Sequence, residues 1–127
     1  MRFVNRDQGN SHTATAYHPA HFDRLRRIPA GAEPWDTGFL LPGATGEVVL
    51  TAPGVYDDYC IPHEMAGMAG RIVVGRPGDP GWEGPAAATD DVAAEVIATL
   101  PFIMDILARG RIFPDQRNLV HAGKSHG

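Results

Sequence analysis

Three side chains that bind soft metal ions stand close together near the middle of the chain. Cys60, His63 and Met68 offer a thiolate, an imidazole and a thioether within nine residues, in the spacing C-x-x-H-x-x-x-x-M. Cys60 is the only cysteine among the 127 residues, so it cannot form an intramolecular disulfide. A cysteine with histidine ligands and a weakly bound methionine is the donor set that copper electron-transfer sites use. The segment therefore predicts a copper site, if the fold supplies a second histidine.

His12 is the candidate for the second histidine. It lies in residues 11–17, where alternating β-branched and aromatic residues predict a strand. A histidine on a strand, facing a loop that carries Cys60 and His63, would complete a trigonal set of two nitrogens and one sulfur. The remaining histidines show no ligand-like spacing, and we expect them to be solvated: His18, His21, His121 and His126.

The first 75 residues otherwise consist of short apolar runs that proline and glycine turns separate. Glycine and proline account for 15 and 11 residues of the chain, which favours many turns. Short strands at this spacing are typical of an antiparallel sandwich or barrel. The predicted strands cover residues 2–5, 11–17, 35–41, 46–51, 55–60 and 70–75.

The composition changes after the last predicted strand. Residues 76–88 are rich in proline and glycine and predict a linker, and Thr89 with the two following aspartates predicts a helix N-cap. Because Pro101 interrupts an apolar run at helical spacing, we expect a kinked helix or two short helices over about residues 90–109. We expect its apolar face to pack on the strands; the alternative is a docking element for a partner. The apolar positions are Val92, Val96, Ile97, Leu100, Ile103, Met104 and Leu107.

Charge and hydropathy argue against two classes of partner. The net charge is −4 and no basic stripe with interleaved aromatic residues is present, so we expect no nucleic-acid binding. Arg24, Arg26 and Arg27 form a short basic cluster that we expect to lie in a solvated loop. No run reaches the roughly 18 apolar residues that a membrane-spanning helix requires.

The segment from Gly54 to Met68 resembles the ligand loop of small blue copper proteins. Its Gly-x-Tyr lead-in, the proline before His63 and the glycine before Met68 match the plastocyanin, pseudoazurin and halocyanin branch of the cupredoxins. The resemblance covers roughly residues 2–75. It implies an all-β fold, a cupredoxin-like Greek-key β-sandwich, here with a C-terminal helical extension.

The resemblance also implies a function and a role for each candidate ligand. His12 and His63 would bind one type 1 copper ion through Nδ1. Cys60 would be the thiolate ligand and Met68 the distant axial ligand. The far ring edge of His63, surrounded by apolar residues, would face transient redox partners, which need only small, weakly binding surfaces. We therefore expect a monomeric, non-enzymatic carrier of single electrons in the periplasm or another extracytoplasmic compartment.

The front of the chain departs from the family pattern. His12 follows only eleven residues, whereas the family normally has two further strands before its first histidine. We therefore expect residues 1–76 to form a cupredoxin domain that lacks its first strands, with sheet edges left uncovered. The missing part would also carry any export signal, and residues 1–9 lack the apolar core of one. Residues 77–127 would form the linker, the helix and a polar tail.

Two residues near the candidate ligands are also unusual for the family. By strand alternation Asp58 points to the same side as Tyr56 and Cys60, where the family has an apolar or aromatic residue. Its carboxylate must find a hydrogen-bond donor or raise its pKa. Thr13 stands where asparagine is frequent, so we expect a weaker or different contact with the ligand loop.

Motifs that are absent narrow the prediction to one mononuclear copper site. The chain has no His-Cys-His sequence, which a multicopper oxidase with a trinuclear cluster would show, and a binuclear site would need two cysteines. The carboxylates show no paired arrangement that suggests acid–base catalysis. The first alternative to an electron carrier is a copper carrier or chaperone without a redox role. The second is an accessory cupredoxin domain of a larger oxidoreductase.

Overall fold

The computed structural model describes residues 1–109 and 119–121. Within these residues the strands form two antiparallel sheets, which confirms the predicted all-β sandwich. One sheet has the strand order β3-β1-β6 and the other β2-β4-β5. The strands are β1 (Arg2–Asn5), β2 (Thr15–Ala16), β3 (Thr45–Glu47), β4 (Gly54–Tyr59), β5 (Ala69–Val74) and β6 (Leu119–His121).

An aromatic core joins the two sheets. Phe3 on β1 stacks on Trp35 with ring centroids 6.2 Å apart. Trp35 in turn lies 6.0 Å from the ring of Tyr56 on β4. All three side chains are buried, and Cys60 and Met68 belong to the same apolar cluster. The candidate ligand loop is therefore attached directly to the hydrophobic core.

Several strands are shorter than the sequence patterns predict. Within predicted strand 11–17 only Thr15–Ala16 forms a regular strand. His12 pairs with Leu40 through an isolated bridge. The predicted strand 35–41 contributes that bridge and a second one between Asp36 and Thr15. These bridges give His12 a backbone partner although it lies outside a regular strand.

Up to residue 109, the C-terminal extension contains two short helices, α1 (Ala94–Ile97) and α2 (Ile103–Arg109), on either side of Pro101. Val96 packs with Tyr17, Tyr59 and other residues beside the ligand loop, and Ile106 packs on Val55 and Val73 of the sheet. The extension therefore covers one face of the sandwich, as the apolar pattern predicts.

Two details of the helix prediction were wrong. Met104 is 71% exposed and Ile106 is buried instead, because the interruption before α2 resets the helical phase. The N-cap of α1 is Ala93, which makes no side-chain capping hydrogen bond. Asp91 is used differently: its carboxylate accepts a hydrogen bond from the amide of Leu25 at 2.8 Å.

A buried ion cluster fixes the extension to the sheet. Asp57 on β4 is fully buried and contacts Arg27 at 3.0 Å and Arg71 at 2.7 Å. Arg27 also donates to the carbonyl oxygen of Ala87 at 2.8 Å, and Arg71 donates to that of Pro101 at 3.2 Å. Because each arginine bonds both the sheet and the extension, the two parts are held together by more than apolar contact.

The remaining predictions on the C-terminal half are only partly within the described residues. Most of the predicted polar tail, including His126, lies outside them, although Leu119–His121 pair with β1 as strand β6. The domain boundary after residue 76 stays a prediction. In the described part of the chain, no helix is long and apolar enough to cross a membrane.

Candidate metal centre

Three of the four candidate ligands lie on a compact turn between β4 and β5. Cys60 follows the last residue of β4, and its amide donates to the carbonyl oxygen of Met68 at 3.0 Å. The chain turns through a 3-10 helix, Glu64–Ala66, and then through Gly67, whose φ of 90° favours glycine. The amide of Met68 donates to the carbonyl oxygen of His63 at 3.2 Å, which closes the turn.

The fold brings His12 to this turn from the other side. His12 Nδ1 lies 3.6 Å from Cys60 Sγ, and His63 Nδ1 lies 3.4 Å from the same sulfur. One donor atom from each residue falls within 4.8 Å of the others, so the three form a group that could hold a metal ion. The predicted pairing of a strand-side histidine with the Cys-x-x-His turn is therefore present in the structure.

The separations fit a single small ion. Metal–nitrogen and metal–sulfur bonds of about 2.0 to 2.3 Å, at trigonal angles, put the nitrogen and sulfur atoms about 3.5 to 3.7 Å apart. The observed separation of 3.6 Å to His12 lies within this range, and that of 3.4 Å to His63 lies just below it. Two imidazoles and a thiolate are also the soft and borderline donors that suit copper.

Met68 is buried beside these donors, and Met65 is not. Met68 is 2% exposed and packs in the apolar cluster that contains Cys60. Met65, by contrast, is 77% exposed. Met65 is therefore a surface residue, and the axial ligation by Met68 stays a prediction.

Thr13 connects the His12 side of the site to the turn. Its amide donates to Cys60 Sγ at 3.3 Å, and its Oγ1 accepts a hydrogen bond from the amide of Ile61 at 2.9 Å. Thr15 donates to the same oxygen at 3.0 Å. Thr13 therefore does contact the ligand loop, and it does so through its hydroxyl group.

Burial affects the two ionisable groups at the end of β4. It raises the pKa of the Cys60 thiol above its ordinary value, although amide donors from Thr13 and His63 oppose the shift. A bound cation would offset this, because metal coordination deprotonates a thiol. Burial, reinforced by the charge of Asp57, raises the pKa of Asp58 well above its usual range. The raised pKa is one of the two outcomes expected for Asp58.

The two histidines have different surroundings. His12 is 3% exposed, and its Nε2 lies 2.9 Å from Asp7 Oδ2. The amide of Gly9, followed by the side chain of His12, holds the pKa of Asp7 well below its usual range. His63 is partly exposed. The sequence patterns did not pair Asp7 with His12.

Arg24 supports the turn beside His63. Its guanidinium bonds both carboxylate oxygens of Glu64, at 2.9 and 2.7 Å, and the carbonyl oxygen of Asp91 at 2.8 Å. The same group lies 4.9 Å from the ring centroid of Tyr17 and 4.8 Å from that of Tyr59. The hydroxyl of Tyr17 also donates to Glu64. This network links the turn to the C-terminal extension.

The prediction of a solvated basic loop was therefore wrong for two of its three arginines. Arg27 is 3% exposed and Arg24 is partly buried, and only Arg26 is exposed. The carboxylates that pair with them, on Asp57, Glu64 and Asp91, are distant in sequence. No local pattern could have indicated these pairs.

Comparison with known proteins gives a family match over the part of the chain that carries these residues. Residues 5–75 match the family described as copper binding proteins, plastocyanin/azurin family. The major isoform of chloroplastic plastocyanin from Arabidopsis thaliana is 47% identical over 53 residues, which are 37% of this chain and 32% of that protein. Chloroplastic plastocyanin from Chlamydomonas reinhardtii is 58% identical over 33 residues, which are 26% of this chain and 23% of that protein.

A third relative is matched over more of its length. Plastocyanin from Solanum crispum is 40% identical over 53 residues, which are 37% of this chain and 54% of that protein. The chain thus spans from about a quarter to about half of the length of these relatives. No solved structure matches the chain significantly.

Proposed function

The chain belongs to the plastocyanin/azurin family of copper-binding proteins, and from that premise we propose that it carries single electrons between redox partners on one type 1 copper ion. The observation that carries the proposal is the convergence of His12, Cys60 and His63, whose donor atoms lie within 4.8 Å of one another. Met68, buried in the same cluster, is the fourth proposed ligand.

Copper supplies the one-electron change between its two oxidation states. The chain's own residues keep the donors in place during that change. Hydrogen bonds run in both directions between the backbones of His12 and Leu40, at 3.2 and 2.7 Å. The turn that carries Cys60 and His63 is closed by its own backbone hydrogen bonds. Donors that move little favour fast electron transfer, because little rearrangement accompanies the change of charge.

The proposed route for the electron is the partly exposed edge of His63. Pro62, Met65 and Ala66 are exposed around it, so the surface there is apolar. Such a patch suits a short-lived encounter, since electron-transfer complexes bury small areas and dissociate readily. We propose that a redox protein docks here and that the chain acts as a monomer.

The proposed role is a carrier and not an enzyme. The acidic group closest in sequence to His63, on Glu64, is bonded by Arg24 and Tyr17, and the carboxylate that contacts His12, on Asp7, is bonded by Gly9 and Asn10. An extracytoplasmic compartment, such as the periplasm, stays part of the proposal. It rests on the resemblance to the family alone.

The test is the colour of the copper-loaded, oxidised protein. We expect a strong absorption in the red from thiolate-to-copper charge transfer, with one copper ion per chain. Cys60→Ser is expected to abolish the band, because the hydroxyl group is a much poorer charge-transfer donor. A protein that binds one copper ion in its oxidised form without this band would refute the proposal and favour a copper carrier.

A further inference from the structure

The outer nitrogen of the buried histidine faces a carboxylate. His12 Nε2 lies 2.9 Å from Asp7 Oδ2, while His12 Nδ1 lies 3.6 Å from Cys60 Sγ on the other side of the ring. An ionised carboxylate can only accept a hydrogen bond. Nε2 must therefore carry a proton, and in the neutral imidazole this leaves the lone pair of Nδ1 directed toward the group of candidate ligands.

The position of Asp7 is itself fixed by its neighbours. Its Oδ1 accepts a hydrogen bond from the amide of Gly9 at 2.9 Å, and its Oδ2 accepts one from Asn10 Nδ2 at 3.1 Å. Its own amide donates to Asn5 Oδ1 at 2.9 Å. Asn5 is fully buried and donates to the carbonyl oxygen of Leu40 at 2.6 Å. Because the carboxylate is held from several directions, its contact with the histidine belongs to an ordered turn.

This turn and the histidine share a backbone anchor. The carbonyl oxygen of Leu40, which accepts from Asn5, also accepts from the amide of His12 at 3.2 Å. The carboxylate and the imidazole are thus fixed relative to the same point of the fold. A displacement of the Asp7 side chain would leave the backbone of His12 in place and affect only the ring.

We propose that Asp7 is a positioning residue for the metal centre, which fixes the Nε2–H form and the orientation of the His12 ring and makes Nδ1 a stronger donor. The inference rests on the proposed function, since it assumes that Nδ1 binds the copper ion. Carboxylates that accept from metal-bound histidines orient the ring and raise its basicity in other metal sites. A charge-assisted hydrogen bond is roughly twice as strong as one to a neutral acceptor.

The sign of the effect on copper follows from the charge of Asp7. A negative charge beside the ligand stabilises the more positive ion, so it favours Cu(II) over Cu(I). Asp7 therefore lowers the reduction potential. Changes of partners in this position typically lower metal affinity 10- to 100-fold, and we expect Cu(II) affinity to lie about 10-fold lower in Asp7→Asn. Cu(I) affinity is expected to fall less, so that the potential rises.

The experiment compares Asp7→Asn with two control variants. Asp79→Asn removes the same charge from an exposed turn, where the carboxylate accepts from the amide of Arg76 at 2.9 Å. Asn10→Ala removes one donor to Asp7 but leaves the carboxylate on His12. Cu(II) and Cu(I) affinities are measured by competition with chelators, and the potential by voltammetry. Both controls are expected to keep the wild-type ratio of the two affinities.

A second readout uses the copper-free protein. Nitrogen-15 NMR of the wild type is expected to show the proton of His12 on Nε2, and Asp7→Asn is expected to show a mixture of both neutral forms. This measurement does not depend on electron transfer. The inference about Asp7 can therefore fail while the proposed function stands, and the proposed function can fail while the inference stands. A wild-type proton on Nδ1 would overturn it. So would an Asp7→Asn variant whose affinity ratio equals that of Asp79→Asn.

Discussion

The two histidines of the candidate metal centre are neighbours with opposite surroundings. Their ring centroids are 4.8 Å apart. His12 is buried, is fixed by backbone bonds to Leu40 and contacts Asp7 through its far nitrogen. His63 is partly exposed and sits on a turn that Arg24 holds through Glu64. One side of the site is therefore part of the sandwich, whereas the other is an accessible turn held by a distant side chain.

This difference separates two requirements of the proposed electron carrier. The ligands must stay in position when the charge of the ion changes, and one ligand must come close to a partner. A ligand anchored on the core satisfies the first requirement, and an exposed ligand satisfies the second only if its turn is stiff. We expect the Arg24 network to provide that stiffness from outside the turn.

The largest expected effect comes from replacing each histidine with glycine. Both His12→Gly and His63→Gly are expected to lose the red absorption band of the copper-loaded protein. Added imidazole is expected to restore the band in His63→Gly, because the vacated position opens to solvent. In His12→Gly the vacated position is buried, so restoration needs much more imidazole or does not occur. Titration of both variants with imidazole, followed by absorbance, tests whether the two positions differ in access to solvent. Equal recovery of the band in both variants would contradict that difference.

A smaller effect, on stability, is expected from the buried ion cluster of Asp57, Arg27 and Arg71. Asp57→Asn leaves Arg27 and Arg71 without their buried carboxylate, and breaking a buried pair in this way costs about 3–5 kcal/mol. Urea unfolding of the copper-free protein measures the loss. The fraction that remains folded is expected to keep the absorption band, since Asp57 supports the whole sandwich and neither histidine in particular.

Glu83→Gln is the matched control for this variant. It breaks the pair between Glu83 and Arg26, whose side chains are 41% and 40% exposed. Surface pairs contribute less than about 1 kcal/mol, so its free energy of unfolding should stay close to that of the wild type. Equal losses of unfolding free energy in the two variants would show that burial of the Asp57 cluster adds nothing to its contribution to stability.

The smallest effect is expected from Arg24→Met, which keeps an apolar side chain over Tyr17 and Tyr59 but removes the bonds to Glu64. Charged hydrogen bonds of this kind contribute about 1.5–3 kcal/mol. An opening free energy lowered by one or two kcal/mol makes amide exchange roughly 5- to 30-fold faster. Hydrogen exchange is expected to accelerate at residues 63–67 and to stay unchanged at residues 12–16.

Arg26→Met is the control for this measurement, because it removes the same charge from an exposed arginine of the same segment. It should leave exchange at both histidines as in the wild type. If Arg24→Met accelerates exchange equally on the two sides of the site, Arg24 does not support the His63 turn in particular, and the difference between the two sides is contradicted.

The sequence predicted the site better than it predicted the residues that support it. Cys60, His63 and Met68 are close in sequence, and they lie on a turn that its own backbone hydrogen bonds close. His12 could be predicted as a further ligand because the donor set lacked a second histidine and His12 lies in a predicted strand. The turn at Asp7 could also have been predicted, because an aspartate two residues before a glycine favours a turn in which the glycine amide bonds the carboxylate.

The supporting ion pairs could not be found in this way. Arg24 and Glu64 are 40 residues apart, and Arg27 and Asp57 are 30 apart. Such pairs depend on how the segments pack, which hydrophobic periodicity does not determine. The exposed position of Met104 has a similar origin, because the interruption at Pro101 changes which residues of the second helix face the sheet.

The most direct test of an electron-carrying copper site is voltammetry of the copper-loaded wild-type protein. We predict one reversible wave, with one electron transferred per bound copper ion and one copper ion per chain. The wave should persist through repeated cycles, because the ligands keep their positions in both oxidation states. Copper bound by His12, Cys60 and His63 without a reversible wave would contradict electron transport and leave a metal-carrying role.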